Sequence, residues 1–224
     1  EMRRSLLNLR SAKGRGWYKQ FVRDGPESFL KNPPLQSFNW DEGSVIRPRV
    51  YLEMKLEEEI MGRMEIELAS DIVPKTVLNF INLIQGKSQK GFCYKGTKVH
   101  DIIPENTVRI GDVETNTGNR SHSSFDTRYF RDENFIIPHT SRGIVSMVAP
   151  GVHTNGSQFY ITLNPTKHLN GRAVGFGRVV KGDNVLKEIE KIYTYRGVPA
   201  RDIVISSCGL IEVKGVSEST IYPQ

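Results

Sequence analysis

Alternating apolar and charged residues begin near Val50 and are the first regular pattern in the chain. The string VYLEMKLEE, which starts at Val50, and the string GRMEIELA, which covers residues 62–69, place an apolar residue at every second position. A period of two is typical of antiparallel strands that bury one face. We therefore predict two strands joined by a turn at residues 59–62.

The pattern then changes to the period of a helix. Ser70 and Asp71 are favourable N-cap residues, and Pro74 follows at a position that a first helical turn tolerates. Apolar residues recur at helical spacing as far as Gly86: Val73, Val77, Phe80, Ile81 and Ile84. These features predict a helix over residues 73–85. A second amphipathic stretch predicts another helix over residues 183–193.

Short apolar runs make up most of the remaining pattern. They lie at residues 98–103, 108–111, 143–147, 159–163, 174–179 and 202–207. Many short strands with two widely separated helices are typical of a mostly β fold. We predict a closed, eight-stranded antiparallel β-barrel capped by two helices. The barrel domain is expected over residues 47–212, after an N-terminal extension (1–46) and before a C-terminal tail (213–224).

The N-terminal extension shows neither period. It mixes basic residues with isolated aromatic residues and the pair Pro33-Pro34. Eight basic residues against three acidic ones lie in the first 40 positions, so most of the net charge of +6 belongs to this segment. Such a composition predicts an arm that docks on a partner protein of a multi-subunit assembly through individual side chains. The candidate anchors are Trp17, Tyr18, Phe21, Phe38 and Trp40.

The same arm gives the only indication of a compartment. Its first 17 residues are rich in arginine and contain one acid, which is typical of an organelle transit sequence. The first residue is not methionine, which is compatible with processing and equally with a partial sequence. We expect an intracellular location, with the mitochondrion and the cytoplasm or cytoskeleton as the candidates.

The composition excludes several classes of protein. Hydrophobic residues make up 38% and charged residues 25%, which is ordinary for a globular domain. No apolar run approaches the roughly 18 residues that a membrane span needs. The two cysteines, Cys93 and Cys208, predict neither a disulfide framework nor a zinc site, and we interpret them as small buried apolar residues. The histidines lack the H-x-x-x-H and H-E-x-x-H spacings, so no metal and no cofactor is predicted.

Seven strings resemble the cyclophilin family in their order and spacing. They are VPKTVLNF (73–80), FCYKGTKVHDIIP (92–104), DENF (132–135), GIVSM (143–147), TNGSQFYITL (154–163), LNGRAVGFGRV (169–179) and ISSCG (205–209). The resemblance runs from about residue 50 to residue 210 and leaves the arm outside it. It implies a cyclophilin-like barrel and a site for prolyl isomerisation on its surface.

The resemblance also locates the position where the catalytic group is expected. Cyclophilins carry an arginine directly after the histidine of this string, and that arginine donates a hydrogen bond to the twisting amide. Here His100 is present, but the next residue is Asp101, which is a hydrogen-bond acceptor and is anionic when exposed. The resemblance therefore implies a degenerate site with weak or no activity, and we assign no catalytic residue.

The implied proline pocket is altered as well. The family's phenylalanine and methionine positions hold Asn106 and Thr107, and the position of the pocket histidine holds Ala173. Arg109 replaces a glutamine, and His168 replaces a frequent tryptophan. The remnant of the peptide site that the resemblance implies is His100, Arg109, Met147, Gln158, Tyr160, His168 and Leu169.

Three functions compete for this sequence. The leading hypothesis is a protein-interaction module or a structural subunit of a larger assembly. The alternative is an active prolyl isomerase that assists protein folding, in which Asp101 pairs with Arg109 and Arg109 supplies the missing donor. Nucleic-acid binding rests only on the charge of the arm, and the near-neutral charge of the rest of the chain argues against it.

Overall fold

The computed structural model describes residues 38–41 and 45–212. Three of the predicted anchors, Trp17, Tyr18 and Phe21, and the predicted tail 213–224 lie outside the described residues. Phe38 and Trp40 belong to a different compact unit from the one that begins at Asp41, so each unit is described by itself. In the first unit, the two rings meet edge to face with their centroids 5.1 Å apart.

Ten strands make up the β structure of the larger unit. They are β1 Arg49–Leu56, β2 Glu59–Leu68, β3 Val99–Ile103, β4 Thr107–Ile110, β5 Ile144–Met147, β6 Phe159–Thr162, β7 Gly175–Lys181, β8 Thr194–Tyr195, β9 Val198–Pro199 and β10 Ile203–Ile211. Eight of them form one sheet in the order β10-β1-β2-β7-β5-β6-β4-β3, and every pairing along it is antiparallel. Strands β8 and β9 form a separate hairpin.

The prediction of eight antiparallel strands is confirmed, whereas a barrel closed by a continuous ladder is not what the described chain shows. The two ends of the sheet meet through one isolated bridge, which joins Lys98, the residue before β3, to Val204 on β10. Next to it, the Ile205 amide donates to the Thr97 carbonyl over 2.9 Å. The contact involves residues just before β3, and therefore no regular pairing of β3 with β10 forms there.

The first hairpin turns earlier than the alternation indicated. Its turn is Glu57-Glu58, and β2 begins at Glu59, so the predicted turn at residues 59–62 is wrong. The ladder shifts register between Met54 and Lys55, which leaves an extra residue on β2 beside Gly62. A bulge of this kind adds a residue without changing the apolar pattern enough to be detected.

Two α-helices lie in the described chain, α1 Pro74–Gln85 and α2 Asp183–Glu190. The first matches its prediction to one residue, but Ser70 and Asp71 do not cap it. The Glu133 carboxylate binds the first-turn amides of Lys75 and Thr76 instead, over 2.9 and 2.6 Å. Helix α2 ends three residues before the predicted position. Neither helix is long and apolar enough to cross a membrane.

Helix α1 packs on the inner face of the sheet through an aromatic cluster. The Phe80 ring lies 5.0 Å from Tyr94, 5.2 Å from Phe159 and 4.9 Å from Phe176, measured between centroids. All four side chains are fully buried. Burial of aromatic area at these separations is a major source of core stability, and it fixes the strands that carry the candidate site.

The segment after β4 is organised by one buried carboxylate, Asp112. Its two oxygens accept hydrogen bonds from five backbone amides over 2.9 to 3.2 Å: those of Glu114, Thr115, Thr117, Gly118 and Arg120. Burial by itself would raise the pKa of Asp112, but the hydrogen bonds from Thr115, Arg120 and Glu114 hold this pKa well below its usual range. The carboxylate therefore stays ionised and fixes the loop 113–120.

The Asp112 loop gives a prediction about stability and pH. Because the pKa of Asp112 is lower in the folded chain, its contribution is complete above about pH 4 and is lost as the pH falls toward the folded-state pKa. We expect Asp112→Asn to lower the free energy of unfolding at pH 7 by about 2–4 kcal/mol. Urea unfolding at pH 7 and pH 3 measures this, and the difference from wild type shrinks at pH 3. Asp126→Asn, at an exposed position, serves as the control. Wild-type stability of Asp112→Asn at pH 7 would contradict the analysis.

Candidate functional site

Three half-buried side chains form a row across neighbouring strands of the sheet. Asp101 on β3 lies directly opposite Arg109 on β4, and Arg109 lies opposite Tyr160 on β6. The next residues along the same strands, such as Ile102 and Ile161, are fully buried in the core. Because side chains alternate between the faces of a strand, the row lies on the outer face. Three of the predicted site residues are thus brought together.

The Asp101 carboxylate lies against the turn between β8 and β9. A Cβ atom placed on Gly197 would come within 2.0 Å of Asp101 Oδ1. The backbone reinforces this contact, since the Ile102 amide donates to the Gly197 carbonyl over 2.8 Å. Arg196 and Gly197 both have positive φ, 52° and 85°, which suits the turn of a two-residue hairpin. A glycine at position 197 is therefore required for Asp101 to occupy this place.

The sequence analysis did not include Gly197 in the site. Strands β8 and β9 have two residues each, which is too short for an apolar period to be recognised. The only signal is the dipeptide Arg196-Gly197 between Tyr195 and Val198, because a glycine between β-favouring residues is typical of a hairpin.

Arg109 is the cationic member of the row. Among the residues that the structure describes, no ion pair within 4.0 Å joins it to Asp101. Its Nε atom is buried, and no described residue hydrogen-bonds it. Burial raises the pKa of the neighbouring Tyr160, against the opposing effect of the Arg109 charge. The Tyr160 hydroxyl is therefore neutral and able to donate a hydrogen bond.

His100 occupies a bulge in β3. The register moves from Val99↔Ile110 to Asp101↔Arg109, so His100 has no partner residue on β4. Its side chain packs against Gly118 of the Asp112 loop, where a Cβ atom would come within 2.9 Å of the His100 Cβ. Burial lowers the pKa of His100, and its Nε2 atom has no hydrogen-bond partner within residues 38–41 and 45–212. The imidazole is consequently neutral at pH 7.

Gln158 is fixed by the same loop. Its Nε2 atom donates to the carbonyls of Gly118 and Arg120 over 3.0 and 2.8 Å. Its Oε1 atom is buried without a partner. Because Asp112 sets the positions of both carbonyls through the amides of the same residues, one carboxylate controls the orientation of this amide.

The other predicted members of the peptide site have different exposures. Met147 on β5 is fully buried and offers no exposed surface. His168 is exposed and Leu169 is half-buried, both on a 3-10 helix, Lys167–Leu169. Sequence reasoning missed Ser146, which is fully buried and lies opposite Tyr160. Its Oγ atom has no hydrogen-bond partner among the described residues. Its signal was a polar residue inside the apolar string GIVSM.

The altered pocket positions are held by backbone contacts. The Asn106 carbonyl accepts a hydrogen bond from the Leu163 amide over 2.7 Å, and Thr107 is buried opposite Thr162 on β6. Within the described chain, no three histidine, cysteine or acidic side chains are grouped as a metal site. The arrangement can hydrogen-bond a polar chain through Tyr160 and Arg109, and the Asp101 carboxylate adds a hydrogen-bond acceptor to the row.

Comparison with known proteins agrees with the fold. The model of the family described as cyclophilin type peptidyl-prolyl cis-trans isomerase/CLD matches residues 51–210. The NK-tumor recognition protein of Homo sapiens is 36% identical over 183 residues, which cover 79% of this chain and 12% of that protein. The chain thus spans a small part of the length of this relative. The matched range contains both helices, the Asp101 row and all ten strands, apart from the first residues of β1 and the last residue of β10. Because the family model matches most of the chain, the chain belongs to the cyclophilin-type peptidyl-prolyl cis-trans isomerase family.

Proposed function

We propose that this chain is a cyclophilin-type domain with weak or no prolyl isomerase activity that acts as a protein-interaction module or as a structural subunit of a larger assembly. The observation that carries the proposal is Asp101, an acidic side chain on the outer row of the sheet at the position where the family resemblance places the catalytic donor. Its carboxylate lies against the turn at Gly197.

The energetics of the reaction support weak catalysis. Rotation about an X-Pro bond faces a barrier of about 20 kcal/mol, because the amide loses its resonance. A preorganised donor lowers this barrier by stabilising the twisted amide, and losing one such donor costs about 3 kcal/mol, or roughly two orders of magnitude in rate. Asp101 cannot donate when ionised, and its charge repels the substrate carbonyl.

The surface around Asp101 supports an interaction role. Tyr195 and Val198 flank the Gly197 turn and expose 65% and 59% of their surface. These exposed apolar side chains offer contact area to a partner, and the neighbouring charges of Asp101 and Arg109 offer polar groups that would orient it. Protein interfaces combine the same two features. The NK-tumor recognition protein matches this chain over a minor part of its length, which agrees with a fold used as a module within longer chains.

The first prediction of this proposal concerns catalysis. Turnover of a standard Ala-Pro peptide is expected near the uncatalysed rate, because both the donor and the apolar pocket are missing. Asp101→Arg alone should recover little, since Asn106 and Thr107 still hold proline poorly. The combined variant with Asp101→Arg, Asn106→Phe, Thr107→Met and Arg109→Gln should recover more than any single change. Protease-coupled assays and NMR exchange measure these rates.

Arg109→Ala separates the proposal from the active-enzyme alternative. If the wild-type chain turns over like an ordinary member of the family and Arg109→Ala abolishes that turnover, Arg109 supplies the donor and the proposal is wrong. Lys181→Ala removes an exposed cation distant from the row along the sheet and controls for the loss of a charge. Rates of prolyl isomerisation near the uncatalysed rate for the wild-type chain, Arg109→Ala and Lys181→Ala support the proposal.

The second prediction concerns cyclosporin, the ligand that gives the family its name. By the family resemblance, this drug uses the apolar pocket and the positions held here by Asp101, Arg109 and His168. Binding is therefore expected to be weak or absent, with a dissociation constant above about 1 μM, which is a binding free energy weaker than about 8 kcal/mol. Isothermal titration calorimetry tests this, and sub-micromolar binding would contradict the altered pocket.

The third prediction concerns the arm. A segment of 46 residues whose sequence has no periodic apolar pattern is not expected to offset its ordering entropy of about 1–2 kcal/mol per residue alone, so we propose that it docks on a partner. Deleting residues 1–36 should leave the melting temperature of the domain nearly unchanged and abolish co-purification with its complex. Quantitative mass spectrometry of the eluted complex measures the loss. Retained association would assign binding to the domain instead.

Two matched variants divide the role of the arm. Replacing Trp17, Tyr18 and Phe21 by alanine should speed dissociation, because buried aromatic residues carry most interface energy. Replacing Arg3, Arg4 and Arg10 by alanine should mainly slow association and weaken its salt dependence, because charges at an interface rim steer the encounter. Equal effects of both variants on dissociation would contradict this division.

A further inference from the structure

Two cysteines that are far apart in sequence meet at the end of helix α1. Cys93 lies in the loop after the helix, and Cys208 lies on strand β10. Their thiols donate to the same acceptor, the carbonyl of Ile84 in the last turn of α1, over 3.9 and 3.4 Å. Neither cysteine is in a disulfide. The fold therefore gathers the only two sulfhydryl groups of the chain around one oxygen atom.

The interpretation of these residues as buried apolar groups is wrong. Both cysteines are half-buried. Cys93 packs beside the C-cap of α1, with its Sγ atom 3.9 Å from the place that a Cβ on Gly86 would occupy. Its Sγ atom also accepts a hydrogen bond from the Lys95 amide over 3.4 Å. The shared Ile84 carbonyl places the two thiols on the same side of the end of α1, at 3.9 and 3.4 Å from one oxygen atom.

We propose that Cys93 and Cys208 form a redox-modification site, at which a peroxide converts the two neighbouring thiols that share the Ile84 carbonyl into a reversible disulfide. The family resemblance assigned no role to either residue, and the site is separate from the Asp101 row. Its effect is to join the loop after α1 covalently to strand β10.

The reaction balances with the peroxide as the only oxidant. The Cys93 sulfur attacks one peroxide oxygen and breaks the O–O bond, which gives a sulfenic acid and one water after proton transfer. The Cys208 sulfur then attacks the Cys93 sulfur, the S–S bond forms, and hydroxide leaves with the Cys208 proton as a second water. Two thiols are oxidised by two electrons and one peroxide is reduced to two waters.

The order of the two steps follows from the surroundings of Cys208. Burial, together with the nearby Cys93, raises the pKa of the Cys208 thiol to about 12. Cys208 is therefore a thiol at neutral pH, and because the thiolate is the reactive form, the oxidant meets Cys93 first.

The backbone can accommodate the bond on the Cys93 side. Gly91 and Gly96 bracket the segment that carries Cys93, both have positive φ, and nothing lies within 4 Å of a Cβ placed on either. Cys208 is fixed in the ladder opposite Leu52. The open space beside these two glycines leaves room on the loop side for the movement that disulfide geometry requires.

Treatment of the full chain with hydrogen peroxide tests the site. We expect both thiols to become unreactive toward Ellman's reagent in denaturant, and a non-reducing peptide map to show Cys93 joined to Cys208. Dithiothreitol should restore both thiols. Because the bond closes a long loop, the oxidised chain should also melt several degrees higher than the reduced chain.

Two cysteine variants identify the order of reaction. Cys208→Ser should accumulate a sulfenic acid at Cys93 that dimedone labels, whereas Cys93→Ser should remain unlabelled at the same peroxide dose. The wild-type peptide map does not depend on either variant folding. Two thiols that stay titratable at a dose that oxidises free glutathione, or disulfides found only between separate chains, would overturn the proposal.

Discussion

The Asp112 carboxylate accepts hydrogen bonds from five backbone amides, and the geometry of the candidate site depends on this interaction. An ionised carboxylate with five amide donors is a strong local organiser, because each charge-assisted hydrogen bond is stronger than a neutral one. It closes the loop that packs Gly118 against His100 and aims two carbonyls at Gln158. Without it, neither of these side chains would have a defined position.

The packed core of the domain and the outer row that contains Asp101 are subject to different physical constraints. The aromatic cluster around Phe80 and the Asp112 loop supply a rigid frame of the kind that a prolyl isomerase needs. The outer row has different chemistry, because Asp101 offers an acceptor and Arg109 has a buried Nε atom without a partner. The inner face is constrained by packing, whereas the half-buried outer row is not, so the row can change while the fold is kept.

Local patterns in the sequence predicted the elements that have a long, regular period. Alternation after Val50 gave β1 and β2, and the apolar spacing from Val73 to Ile84 gave α1 to within one residue. Patterns failed where one residue decides the outcome, as at the bulge of His100 and the early turn at Glu57. A bulge changes the register without a distinct composition.

Contacts between distant parts of the chain were beyond local patterns altogether. The family resemblance located Asp101, but no period predicts that Gly197 would lie against its carboxylate. The meeting of Cys93 and Cys208 likewise depends on how α1 packs on β10. The capping of α1 by Glu133 is a third case, because the donors and the acceptor are separated by more than 50 residues. Sequence reasoning can name such residues, but only the packed chain pairs them.

The hairpin of β8 and β9 has a consequence for how this domain behaves at high concentration. Strand β3 ends the sheet order, and a terminal strand with free backbone groups recruits strands from other molecules. The Ile102 amide of this strand already donates its hydrogen bond to the Gly197 carbonyl. Pro199 in β9 has no N–H to offer to a further strand. The same turn that positions Asp101 therefore also shields the border of the sheet against fibre-like self-association.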